Sequence, residues 1–227
     1  MADQPRPESP LVRFGRNACS DAGAAGTEPV MYELPFLDHV NLRGDHADPA
    51  FVEAVDGILG VPLPLAPNTW QCLGDLRVFW LGPDEWLLIT AAGEGSALAD
   101  GLRRAVCGLH AAIAVISGGQ TVIGIEGPQA TDLLSRGCTL DLHPRSFGGR
   151  CCAQTLVAKS PALIWRLPDD RGFELAIRRS FADYLWLWLS TQWKSVSAAT
   201  ASRQPRLPSA AGLGGAPAKE REAMPAL

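Results

Sequence analysis

Apolar and polar positions alternate with period two from Phe173 to Arg178, with Phe173, Leu175 and Ile177 on one side and Glu174, Ala176 and Arg178 on the other. That alternation predicts a strand. Phe181, Tyr184, Leu185 and Trp188 then recur at helical spacing, with Ser180 placed as N-cap and Asp183 at N3, near the positive helix end. Trp186, Leu187 and Trp193 fall off that stripe and are apolar as well. A helix apolar nearly all round is expected to be buried on more than one side.

The rest of the chain reads in the same terms. Asp38–Arg43 is a strand, and Asp48-Pro49 opens a helix with Phe51, Val52, Val55, Ile58 and Leu59 inward, closed by Gly60. The proline-rich stretch VPLPLAPN is an extended connection. Trp70–Leu73, Leu76–Leu81 and Glu85–Thr90, separated by Gly74-Asp75 and Gly82-Pro83-Asp84, predict an antiparallel meander. A helix follows over Ser96–Gly108, with Leu98, Leu102, Val106 and Leu109 inward.

From residue 111 the order repeats. Ala111–Ile116 and Gln120–Ile125 read as strands around a hairpin turn at Ser117-Gly118-Gly119. Gly127-Pro128 opens a helix carrying Ala130, Leu133 and Leu134, stopped by Gly137. After the irregular stretch GCTLDLHPRSFGG come strands at Cys152–Ala158, Pro161–Leu167 and Gly172–Ile177. Val40–Gly44 before one helix matches Ile123–Gly127 before another, and Leu81–Ile89 matches Leu167–Ile177, at offsets of roughly 83 to 88 residues. The expectation is an α+β fold: two pseudo-repeated, helix-backed antiparallel-sheet units packed into one body.

Composition narrows the picture. Residues 1–30 and 196–227 are rich in Ala, Gly, Pro and Ser without apolar periodicity, so both read as disordered tails. That leaves one domain over residues 31–195, with halves of about 31–110 and 111–195. The formal net charge of −4 comes without a basic patch, which argues against a nucleic-acid partner. Apolar runs such as LWLWL are too short to cross a bilayer, and the first residues lack a signal-peptide layout, so a cytoplasmic protein with no membrane contact is expected.

Little in the sequence points to chemistry of its own. The six cysteines, at positions 19, 72, 107, 138, 151 and 152, form no CxxC and read as reduced thiols. His39, His46, His110 and His143 lack chelating spacing, and GxSxG, GxxxxGK[ST] and a strand-to-helix GxGxxG are absent. Asp84-Glu85 and Asp169-Asp170 are turn residues rather than a cooperating carboxylate pair. Arg178-Arg179 is expected to meet local carboxylates or a partner's surface. No catalytic, cofactor-binding or metal-binding residue is assigned.

The stretches NLRGDHADPAF, LPLAPNTW, FWLGPDEWLL, GCTLDLHPRSF, CAQT and RRSFADYLWLWL, in this order and spacing, resemble the gamma subunit of heterotetrameric sarcosine oxidases over roughly residues 31–193. The resemblance implies a fold similar to the folate-binding domains of the glycine-cleavage T-protein. It also implies a non-catalytic subunit of an assembly that oxidatively demethylates sarcosine to glycine and hydrogen peroxide and passes one carbon to tetrahydrofolate. Its partners would be alpha, beta and delta subunits, and FAD, FMN, NAD and tetrahydrofolate would be held in other chains. An alternative is a stand-alone folate-binding protein of the T-protein superfamily, some of whose members carry K-G-C-Y-x-G-Q-E. The nearest stretch is Gly149–Thr155 (GRCCAQT), which keeps only a trace of it, so no folate-binding residue is carried over. Another alternative is a scaffold for a complex oxidising a different N-methyl amino acid. Tryptophan is enriched at interface centres, and Trp186 and Trp193 are the expected partner contacts unless they pack against the chain's own first half.

Overall fold

The computed structural model describes residues 8–14 and 30–203; the parts of the expected tails at 1–7, 15–29 and 204–227 lie outside the described residues. Local grammar sets the first helix, α1 (Pro49–Leu59), much as expected. Asp48 accepts the Ala50 N–H at 2.9 Å, Pro49 takes the first helical position, and Gly60, at φ 67°, closes the helix by donating to the Asp56 carbonyl.

Among the described residues, ten strands form two antiparallel sheets. The first has the order β3 (Trp70–Leu73), β4 (Leu76–Gly82), β5 (Glu85–Thr90), β2 (Asp38–Gly44) and β6 (Ala111–Val115). The second has the order β1 (Val30–Leu34), β7 (Gln120–Glu126), β10 (Gly172–Arg178), β9 (Ser160–Arg166) and β8 (Cys152–Val157). Helices α1 and α2 (Gly95–Ala105) contribute to the core on one face of the first sheet. Helices α3 (Ala130–Ser135) and α4 (Ala182–Arg203) do the same for the second. The remaining faces meet through Trp70, Phe79, Leu87, Ile89, Val122, Leu163 and Trp165, with the Phe79 and Trp165 rings 4.6 Å apart.

The duplication is visible in the element order: β1-β2-α1-β3-β4-β5-α2 is followed by β6-β7-α3-β8-β9-β10-α4. Corresponding elements start 81 to 87 residues apart, from Val30 and Ala111 to Gly95 and Ala182. The expected hairpin at 111–125 is not one. β6 pairs with β2 and β7 with β1 and β10, so each sheet takes an edge strand from the other half of the chain. The Ser117–Gly119 turn crosses between sheets because it is anchored to both. Ser117 Oγ accepts the His39 N–H at 3.1 Å, and the Gly119 carbonyl accepts the Arg179 N–H at 3.0 Å. Halves divided at residue 110 therefore do not correspond to the two sheets.

The last helix also departs from expectation. The chain enters it through a 3-10 turn at Arg179–Phe181, which places Ser180 inside that turn instead of at an N-cap. The buried stripe is Ala182, Leu185, Trp186 and Leu189, while Tyr184 points outward at 47% exposure. A helix apolar on all sides gives periodicity no way to choose its inner face. The helix continues to Arg203, eight residues beyond the expected domain end at 195. Its last stretch, SVSAATASR, contains no Gly or Pro before Pro205, and alanine is the strongest helix former. At the other end Leu11, read as part of a tail, is 3% exposed within the core under the second sheet.

Candidate functional site

Chemistry-bearing side chains converge most densely between the two sheets. Tyr32 and Glu174 flank Gly124 in the register of the second sheet, and a Cβ at Gly124 would lie 2.1 Å from Tyr32 Cζ. Glycine there lets the phenol lie across the strand. Tyr32 Oη donates to Glu126 Oε1 at 2.7 Å and reaches Glu174 Oε1 at 3.4 Å. Arg77 crosses from β4 of the first sheet to within 3.4 Å of Glu174 Oε2. Burial pushes the Glu174 carboxyl up, against the pull of Arg77, and burial together with the Glu126 hydrogen bond pushes the Tyr32 phenol up.

This arrangement pins one sheet to the other. Glu174 is 3% exposed, too enclosed for proton exchange with a substrate. A raised carboxyl in the folded state means that its contribution to stability is full below its ordinary value of 4.5 and is lost as pH rises through the folded value. Glu174→Gln, neutral at every pH, is therefore expected to gain stability relative to the unaltered chain as pH increases above 4.5. Urea unfolding of both proteins across pH 4 to 8 reads this, and a constant difference would contradict it.

The other candidates have structural surroundings. His39 is fully buried, its Nδ1 lies 3.0 Å from the Leu37 carbonyl, and burial holds its imidazole below the usual range. His46, His110 and His143 are exposed and dispersed. Burial pushes the Cys152 thiol up to about 12, so it is not a thiolate nucleophile at neutral pH. Glu85 is occupied by Asn41 at 2.8 Å and Arg43 at 2.7 Å. Arg179 donates to the Glu8 carbonyl, while Arg178 lines a cleft between the sheets. Among the described residues no group of three or more His, Cys, Asp or Glu side chains could hold a metal ion. No described helix is long and apolar enough to cross a membrane.

That cleft, about 220 Å³, has Leu87, Leu163 and Ala176 among its lining residues, with Gln120, Gln154 and Arg178. Gln154 Nε2 donates across it to the Leu81 carbonyl at 2.9 Å, tying β8 to β4. The glutamine that keeps a trace of the folate-family motif thus serves as a strap between sheets.

The structure separates the two tryptophans singled out as partner contacts. Trp186 is 3% exposed in the core of its own chain, with the Phe14 ring 6.3 Å away. Trp193 packs half-buried at the edge of the same core. Trp186 is covered by the second sheet's own core and by the amino-terminal segment. Among the described residues, the large apolar side chains that α4 leaves exposed are Tyr184 and Leu187, at 47% and 51%, three residues apart and hence neighbours on one helix face. Sequence reasoning missed this pair because the stripe was assigned to the wrong side. It missed the Tyr32–Glu174–Arg77 pin because the three side chains come from β1, β10 and β4, far apart along the chain.

Known proteins place the fold and the chain. The model of the "Sarcosine oxidase, gamma subunit family" matches residues 43–195. The sarcosine oxidase subunit gamma of Corynebacterium sp. (strain U-96) is 34% identical over 186 residues, covering 80% of this chain and 88% of that protein. That of an Arthrobacter species is 33% identical, covering 75% and 80%. Among solved structures, a chain of the heterotetrameric sarcosine oxidase from Corynebacterium sp. U-96, in complex with pyrrole 2-carboxylate, superposes with a TM-score of 0.75 at 30% identity, covering 84% of this chain and 96% of that one. The aminomethyltransferase T of Bartonella henselae shares the fold at a TM-score of 0.55 and 18% identity, covering 72% of this chain and 46% of that one. With its duplicated sheets, and over most of its length, this chain belongs to the sarcosine oxidase gamma subunit family.

Proposed function

We propose that this chain is a non-catalytic subunit of a heterotetrameric sarcosine oxidase, stabilising and orienting flavin-bearing partners. The observation that carries the reading is the family match over residues 43–195, on a fold whose densest polar cluster is buried as an internal pin. In this reading the assembly demethylates sarcosine to glycine, releasing hydrogen peroxide and forming 5,10-methylenetetrahydrofolate. FAD, FMN, NAD and tetrahydrofolate are held by the alpha and beta chains, and the whole works in the cytoplasm. This chain contributes surface, and the exposed Tyr184–Leu187 face of α4 is the proposed contact. Trp193, half-buried at the edge of the core, stands as a secondary contact.

Producing the partner subunits with and without this chain tests the role. With it, sarcosine-dependent peroxide release should be stable on warming; without it, yield and thermal stability of the active complex should fall. A complex that lacks this chain yet keeps full activity and stability would overturn the stabilising role.

A further inference from the structure

The segment Glu8–Phe14 lies outside the family-matched region and is held by side chains of the second sheet and α4. Leu11 is 3% exposed in the core there, and Phe14 lies 6.3 Å from the Trp186 ring. Arg13 pairs with Asp183 at 2.6 Å. Ser9 Oγ donates to Glu33, whose other oxygen accepts Thr121 Oγ1 at 2.6 Å, and the Glu8 carbonyl accepts from Arg179. The seat thus offers acids to Arg13 and Ser9, a base to the backbone at Glu8, and an apolar floor to Leu11 and Phe14. Beside Pro10 it continues as an open cleft of about 650 Å³ lined by Gly118, Gly119, Arg178, Arg179, Ser180 and Asp183.

We infer that this seat is a peptide-docking groove, selective for a hydroxyl-Pro-Leu-x-Arg-Phe pattern and filled in cis by the chain's own amino-terminal segment. Side-chain recognition carries the contact, since the backbone hydrogen bonds of Val12 and Phe14 are internal to the segment's own turn, to Ser9 and Leu11. Each recognised side chain meets a complementary partner: leucine a buried site, phenylalanine an indole, arginine a carboxylate, and serine a carboxylate already oriented by Thr121. The segment is also short and makes no strand pairing, so the groove is expected to accept the same sequence in trans once its own copy is dislodged.

The test uses the full chain carrying Leu11→Asp, a change that puts a charge where the buried leucine sits and expels the segment. A synthetic peptide of residues 8–14, Glu-Ser-Pro-Leu-Val-Arg-Phe, blocked at both ends, is titrated calorimetrically into this variant. Saturable binding with a Kd of about 1 mM or tighter is expected. The unaltered chain, whose groove is filled, and a peptide with aspartate in place of leucine should both fail to bind. Absence of binding to a folded Leu11→Asp chain would overturn the proposal. If that variant does not fold, Phe14→Ala in the full chain decides. Amide exchange over residues 182–190 should quicken by about tenfold and be slowed again by excess peptide. Unchanged exchange would overturn the docking, and faster exchange that the peptide does not reverse would overturn the groove's selectivity. Neither readout depends on the oxidase assembly.

Discussion

Arg166→Leu is expected to lower the stability of this chain by about 3 kcal/mol or more. Arg166 is 2% exposed, and its guanidinium organises the irregular connection between α3 and β8. Nε donates to the Phe147 carbonyl and Nη2 to the Leu142 carbonyl, while Nη1 reaches Asp170 at 3.3 Å. The guanidinium also sits 4.5 Å over the Phe173 ring. Leucine would fill part of the volume but leave two enclosed carbonyls without donors, each costing about 1 to 3 kcal/mol. The Asp170 contact adds little, because that carboxylate is 59% exposed. Lysine should rescue poorly, since a single ammonium cannot reproduce the planar fork that serves both carbonyls. For a domain of this size the melting temperature should drop by about 6 °C or more. Thermal unfolding followed by circular dichroism measures it, and a loss of less than about 1 kcal/mol would show that the connection is held by other means.

A different outcome is expected for Tyr184→Asp combined with Leu187→Asp. Both side chains are about half exposed, so the isolated chain should keep its stability to within about 0.5 kcal/mol per site. In the assembly each would place a charge in a desolvated contact, and hot-spot losses of about 2 kcal/mol per residue predict association weakened by roughly a hundredfold or more. Trp186→Ala should behave in the opposite way. It removes a core side chain, so the chain itself should lose about 3 to 5 kcal/mol, and any loss of assembly would follow from that. Melting temperature and co-purification yield, measured together on the three proteins, separate the two surfaces. Full recovery of the complex with both aspartates would move the contact away from this face of α4.

How much of this was legible in the sequence depended on whether local chemistry or distant contacts set each feature. The cap-and-proline start and glycine stop of α1 are local, and Asp48, Pro49 and Gly60 fall where the sequence places them. The β3-β4-β5 meander was equally readable, because short turns fix strand neighbours. The exchange of β1 and β6 between sheets was not, since Ser117-Gly118-Gly119 satisfies hairpin grammar while the contacts that redirect it come from His39 and Arg179. β1 itself escaped notice because VMYEL is short and follows a stretch rich in Ala and Gly. Burial of Glu174 depends on an arginine 97 residues earlier, a pairing that no window along the chain contains. The inner face of α4 was likewise decided from outside, by Leu11 and Phe14 in a segment whose surroundings read as a tail.

Native mass measurement of the tagged chain drawn from its own cells decides whether it works as one part of an oxidase. The expected result is a complex containing two larger, flavin-bearing chains and a small fourth chain, which releases peroxide when sarcosine is added. A chain that arrives alone and binds tetrahydrofolate saturably would contradict it and would make this a folate-binding protein in its own right.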